Sequence, residues 1–153
     1  MENTALYMHL VGAFLFIGGV TVAGIAFEAA RGRARPDEIA LLLGVTRIGV
    51  VFVGLGGLVL LAFGLWLVEL EHLSYGAVWI VAALALFVAT CALGAFGGRR
   101  PKQARLLATR LAREGREATP ELRALLDDRS SRIANYLSAL LLLVMLALMV
   151  FRP

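Results

Sequence analysis

Charge is scarce in this sequence, and the places that lack it carry more information than the places that hold it. Only 17% of the 153 residues are charged while 60% are hydrophobic, and the mean hydropathy is +0.83. A water-soluble domain is usually about half apolar and about a quarter charged. The deficit is concentrated: residues 3–27, 48–68, 73–98 and 133–151 contain no Asp, Glu, Lys or Arg at all. A helix needs roughly 20 predominantly apolar residues to cross the hydrocarbon layer, so each run is long enough to span. Cysteine is nearly absent as well. Cys91 stands alone, inside the third run, which excludes an intramolecular disulfide and leaves it as a small packing residue. No Lys or Arg precedes the first run, which is also longer than the apolar core of a secretory leader, so it reads as a retained span. A phosphate-binding glycine motif, a nucleophile beside a base and a carboxylate pair deep in a span are all missing, leaving nucleotide and hydrolytic chemistry without a signature.

What is present is an all-α chain with four spans, at about 5–27, 48–68, 75–97 and 133–151, forming one antiparallel transmembrane bundle over residues 1–153. Its connections differ sharply in basic content. The first carries Arg31, Arg33, Arg35 and Arg47, the third (about 98–132) carries most of the remaining Lys and Arg, and Glu69-Leu70-Glu71-His72 carries none. The positive-inside rule then expects the two basic connections in the cytoplasm and both termini outside. The net charge of +4 and pI near 10.0 follow from that bias, and no nucleic-acid partner is needed to explain them. The bilayer is the partner the composition demands.

Short helices at the interface or in the cytoplasm are expected between the spans. Pro36-Asp37-Glu38 opens one, with Ile39 to Leu43 at the membrane interface ahead of the second span. Leu106, Leu107 and Leu111 recur at helical spacing among Arg105, Arg110 and Arg113, a pattern suited to the membrane surface, and Gly115 stops it. Thr119, Pro120 and Glu121 predict a further helix over 120–128. Glycine is plentiful in the first two spans: Gly12, Gly18, Gly19 and Gly24, then Gly49, Gly54, Gly56, Gly57 and Gly64. Such residues let helices pack closely in lipid, or leave room for a flat ligand between them.

The ionisable residues within or beside spans are the functional candidates. His9 sits about one and a half turns into the first span. Its neutral imidazole suits a metal or haem iron, and the plain alternative is an interfacial histidine bonded to water or headgroups. His72 lies in the acidic connection with Glu69 and Glu71, without a compact metal-binding spacing; Trp66, Tyr75 and Trp79 read as an aromatic belt. Met1 and Met8 are the nearest thioethers for soft copper. Arg47, Arg132 and Arg152 stand at span ends, where they either snorkel or bind an anion such as a porphyrin propionate. Glu28 is expected to pair with an arginine of the basic connections.

Four features together resemble the HemJ-type protoporphyrinogen oxidase and CopD-like group of small bacterial membrane proteins. They are His9 followed by Gly18-Gly19; Arg47 leading, 17 residues later, to Gly64-Leu65-Trp66-Leu67; Trp79 early in the third span; and Arg132-x-x-Asn135 running to Val150-Phe151-Arg152-Pro153. The likeness is greatest to an uncharacterised branch of predicted integral membrane proteins. It implies a four-helix bundle in the bacterial cytoplasmic membrane that binds haem b or a porphyrin. In it His9 matches the proposed axial ligand, and Arg47, Arg132 and Asn135 match the group's polar positions. The chain departs from the oxidases where Ala83 replaces a lysine, where an Asn-Glu-x-x-Pro stretch reads Asn135-Tyr136-Leu137-Ser138, and where a late first-span arginine is missing.

Three functions fit these residues: a haem-binding redox protein, an accessory or scaffold subunit acting within a homo-oligomer or beside other membrane subunits, and copper uptake of the CopD type. A haem absorption spectrum separates the first from the second.

Overall fold

A backbone surrounded by hydrocarbon can satisfy its hydrogen bonds only within its own segment or a closed barrel, and each charge-poor run here becomes a helix. The computed structural model describes residues 2–151. Met1, Arg152 and Pro153, and with them the Met1 thioether and the anion-binding role of Arg152, lie outside the described residues. The elements are α1 (Glu2–Arg31), α2 (Pro36–Leu70), α3 (Val78–Gly97), α4 (Arg99–Arg113), α5 (Pro120–Leu126) and α6 (Arg129–Phe151), and no strand occurs among the described residues. α1, α2, α3 with its continuation α4, and α5–α6 provide four helical stretches long and apolar enough to cross a membrane.

Local chemistry sets the breaks. Pro36 is at the first position of α2, with Asp37 and Glu38 in the first turn. Gly115 adopts a left-handed φ of 63°, which lets the Arg116 N–H donate to the Leu111 carbonyl at 3.0 Å and ends α4. Thr119 accepts from the Leu122 N–H at 3.3 Å to start α5. That helix ends at Leu126, two residues short of the predicted 128, because Asp128 turns to cap the next one. Its carboxylate accepts from the Ser131 N–H at 2.9 Å and the Ser131 hydroxyl at 2.8 Å.

Two segments differ from the sequence expectation. Ile39 to Leu43 do not form a separate interfacial helix; α2 runs unbroken through them. Ile39 and Leu43 find their apolar surroundings inside the protein, packed with Phe27 and Ala30 of α1, Ala104, Ala108 and Leu111 of α4, and Leu122 and Leu126 of α5. For the same reason α4 does not lie flat on a membrane surface. Gly98 keeps a helical conformation between α3 and α4, so α4 continues the third span, and its Ala104–Ala108–Leu111 face is buried while Leu106 points outward. At 1.5 Å per residue α2 is about 52 Å long, well over the roughly 30 Å of hydrocarbon. Its first turns therefore build an extramembrane core with α4 and α5.

Within the spans the helices associate as two pairs, α1 with α2 and α3 with α6, while contact between the pairs is sparse. The α1–α2 pair is packed backbone to backbone. A Cβ on Gly12 would lie 2.8 Å from the Leu60 Cα, and one on Gly19 would lie 2.6 Å from the Gly49 carbonyl oxygen. Ala5, Gly12, Gly19 and Ala26, all small, are buried along one stripe of α1. In lipid no hydrophobic force drives helices together, so this close contact is what binds α1 to α2. The α3–α6 pair is also close at Gly97, where a Cβ would meet the Ala134 Cβ at 3.0 Å. The buried Thr90 and Ser138 hydroxyls donate to carbonyls of their own helices, Leu86 and Ala134.

Candidate cofactor site

Where the two pairs face each other, a cavity of about 330 Å³ opens, contacted by α1, α2, α3 and α6. Its walls are apolar, drawn from residues such as Leu10, Leu60, Ile80, Ala83 and Leu146. Among the described residues its polar groups are few: His9, Glu71 and Trp79. Below it, toward the basic end, the Phe16 and Phe87 rings meet with centroids 5.5 Å apart, and Leu142 and Met145 join them to close the floor. Gly57 gives these rings their space, since a Cβ there would press on both.

His9 is held in one orientation. Its Nδ1 lies 2.9 Å from the Leu60 carbonyl oxygen, which can only accept, so the proton is on Nδ1. In the neutral ring Nε2 then keeps its lone pair, and nothing else among the described residues hydrogen-bonds to this side chain. Gly64 makes the position available. A Cβ there would be 2.9 Å from His9 Cε1 and 3.0 Å from Nδ1, so any larger residue displaces the ring. His9 lines the cavity, and donating one ring nitrogen to a carbonyl while the other keeps its lone pair is the arrangement that metal-ligating imidazoles use. The lone pair and the apolar walls both suit the iron and the macrocycle of a haem. No Lys or Arg among the described residues lines the cavity.

The remaining predicted residues are elsewhere. Asn135 packs on Gly24, 15 positions along α1 from His9 and therefore about 22 Å away along the helix axis. Arg132 has its Nε 3.8 Å from Glu28, whose other oxygen pairs with Arg31 at 2.8 Å; the Tyr136 hydroxyl donates to Glu28 at 3.5 Å. The expected pairing of Glu28 is therefore present, with two arginines. Arg31 also reaches Asp127 at 3.0 Å, and Arg123 donates to the carbonyls of Arg31 and Arg33, which ties α5 to the end of α1. Arg47 is exposed on α2, two positions toward the basic end from the Gly49 contact. Arg132 and Asn135 thus come together with each other, and neither they nor Arg47 come near His9.

His72 has a backbone role. It closes α2 with a φ of 52°, so that the Leu73 N–H donates to the Val68 carbonyl at 2.9 Å. Cys91 is exposed on α3. Among the described residues no three His, Cys, Asp or Glu side chains gather as a metal-ligand set.

Sequence reasoning identified His9 but not Leu60 or Met149, which line the same cavity. The glycine before Leu65-Trp66 was visible; its pairing with His9 depends on the register between α1 and α2.

No curated protein and no solved structure matches this chain. A family model matches residues 3–153, nearly its whole length. The chain belongs to that family, DUF2269, described as predicted integral membrane proteins.

Proposed function

We propose that this protein binds haem b in the cavity between its two helix pairs, with His9 Nε2 as an axial ligand, and serves a redox role in the membrane. The observation that carries this reading is the bond from His9 Nδ1–H to the Leu60 carbonyl. It fixes the tautomer, holds the ring and raises the basicity of the other nitrogen. The resemblance of His9, Gly64-Leu65-Trp66-Leu67 and Trp79 to the HemJ-type and CopD-like group supports the same reading, since His9, Gly64, Leu65, Leu67 and Trp79 all line this cavity. Bound haem would supply one-electron chemistry. The chain would supply the ligand, apolar walls that exclude water, and a mouth where carboxylates stay hydrated.

In this reading Arg47, Arg132 and Asn135 do not hold the cofactor. Arg132 neutralises Glu28, Asn135 fills the space beside Gly24, and Arg47 snorkels toward headgroups. Ala83, which stands where the oxidases carry lysine, also lines the cavity. The site thus lacks the basic group of the oxidases at the place where it would act, and electron carriage fits it better than porphyrinogen oxidation. By the positive-inside rule the α4–α5 end faces the bacterial cytoplasm and the His9 cavity opens on the outer side.

The test is the absorption spectrum of detergent-purified protein titrated with haem b. We expect saturable binding with a Soret band that shifts on complex formation and is lost in His9→Ala. No Soret shift, or one that His9→Ala leaves intact, refutes the reading. In that case a stable complex with another membrane subunit, isolated from native membranes, would favour the scaffold function.

A further inference from the structure

Two sulfur-bearing side chains, Met145 and Met149, line the same cavity from α6. They differ in height and in packing. The contact of Gly24 with Asn135 sets the register between α1 and α6. From that contact His9 lies 15 positions along α1 and Met149 lies 14 along α6, so the two stand at the same level to within about 1.5 Å of helix rise. Met145 is one turn deeper, only 2% exposed, and locked into the core with Phe16, Ala83 and Leu142. Met149 packs against the edge of that core and remains partly accessible.

We propose that Met149 is the second axial ligand, its thioether Sδ facing the iron from the side opposite His9. This rests on the haem reading above. A thioether is a soft, neutral ligand on an unbranched chain with three rotatable bonds, so it can reach an iron without moving its helix. Among the described residues it is also the only side-chain ligand type that α6 offers at the height of His9, since the remaining lining of α6 there is Leu146 and Val150. Two neutral ligands in an apolar cavity leave the ferric state with uncompensated positive charge. Histidine–methionine ligation with burial therefore raises the reduction potential and makes the site an electron acceptor at high potential.

The experiment compares haem-loaded wild type, Met149→Leu and Met145→Leu by absorption, magnetic circular dichroism and redox potentiometry. Wild type is expected to be six-coordinate and low-spin, with a thioether-to-ferric-iron charge-transfer band. Met149→Leu is expected to retain the Soret band, lose the charge-transfer band, turn high-spin and titrate at lower potential. Met145→Leu should keep the wild-type spectrum. A second variant, Met149→His, should restore a low-spin spectrum at a potential below that of wild type. If haem binds through His9 but Met149→Leu leaves spin state and potential unchanged, Met149 is not the ligand, while the haem reading stands. Loss of the charge-transfer band in Met145→Leu alone would transfer the role one turn deeper and equally overturn the proposal. Failure of wild type to bind haem at all removes both.

Discussion

Replacing Gly12 with alanine should weaken the α1–α2 pair and loosen His9 in a single step, and the size of the effect can be worked from the contact. The added Cβ would lie 2.8 Å from the Leu60 Cα and closer still to the Leu60 nitrogen, against 3.4 Å for ordinary contact. Both obstructing atoms are backbone, so no side chain can swing aside. The helices must separate by at least about 0.6 Å, and overpacking of this kind costs about 1–3 kcal/mol. Leu60 is also the residue whose carbonyl accepts from His9 at 2.9 Å. Adding the same displacement takes that distance to about 3.5 Å, where a hydrogen bond is largely lost together with its contribution of about 1 kcal/mol. The control is Gly18→Ala, because a Cβ at Gly18 meets nothing within 4 Å. There the better helix former should be neutral, or stabilising by up to about 1 kcal/mol. Equilibrium unfolding in detergent, read by circular dichroism, should therefore separate the two variants by at least about 1 kcal/mol, and haem titration should show weakened binding in Gly12→Ala only. Equal stabilities for the two variants would refute the close-packed α1–α2 interface and the positioning of His9 that depends on it.

Three further outcomes are expected. Gly64→Ala places a Cβ 2.9 Å from the His9 ring and should lower haem affinity about tenfold or more, equivalent to about 1.4 kcal/mol, with the fold retained; unchanged affinity would contradict the role of Gly64. His72→Gly removes a side chain from a left-handed position and should stabilise the protein by about 1 kcal/mol without altering its haem spectrum, whereas a lower melting temperature would show that the imidazole has another role. Asp128→Ala should cost about 1 kcal/mol by uncapping α6. The Ser131 N–H and hydroxyl hold the Asp128 carboxyl below its ordinary range, so its contribution is complete above the unfolded-state value and fades as pH falls through the depressed one. Acid unfolding curves should accordingly show a smaller loss of stability in Asp128→Asn than in wild type, and identical curves would rule the linkage out.

Features carried by a few adjacent residues were legible in the sequence. The four spans, the proline at the start of α2, the Thr119 cap and the Gly115 stop all depend on local chemistry, and each is in place. Features that depend on one helix meeting another were not. Nothing between Leu43 and Arg47 shows that Ile39 and Leu43 are buried by α4 and α5 and not by the membrane interface. The three leucines of α4 suggested a face on the membrane surface, yet Leu111 is buried with Ala104 and Ala108, Leu107 packs against the same core, and Leu106 alone of the three points outward. The glycines do different things. Gly12, Gly19, Gly49 and Gly56 bring backbones together, Gly64 makes room for an imidazole, and Gly18, Gly44, Gly54 and Gly94 border open space. Composition alone cannot sort these roles, because they depend on the α1–α2 register.

That register also explains why a cavity can exist in so small a bundle. A chain in lipid gains little from burying one apolar side chain against another, so tight association requires small residues or polar contacts. This protein concentrates its small residues along α1 and α2 and its ion pairs at the basic end, around Glu28, Arg31 and Arg132. The facing walls of the two pairs carry large apolar side chains instead, such as Leu10, Leu60, Leu84 and Leu146. Such side chains give no strong reason to close the seam, which stays joined at the basic end and open at the other. An apolar macrocycle entering from the open end would gain contacts on all four helices while displacing lipid and not packed protein. His9 stands at that end, already oriented by a helix pair that need not move.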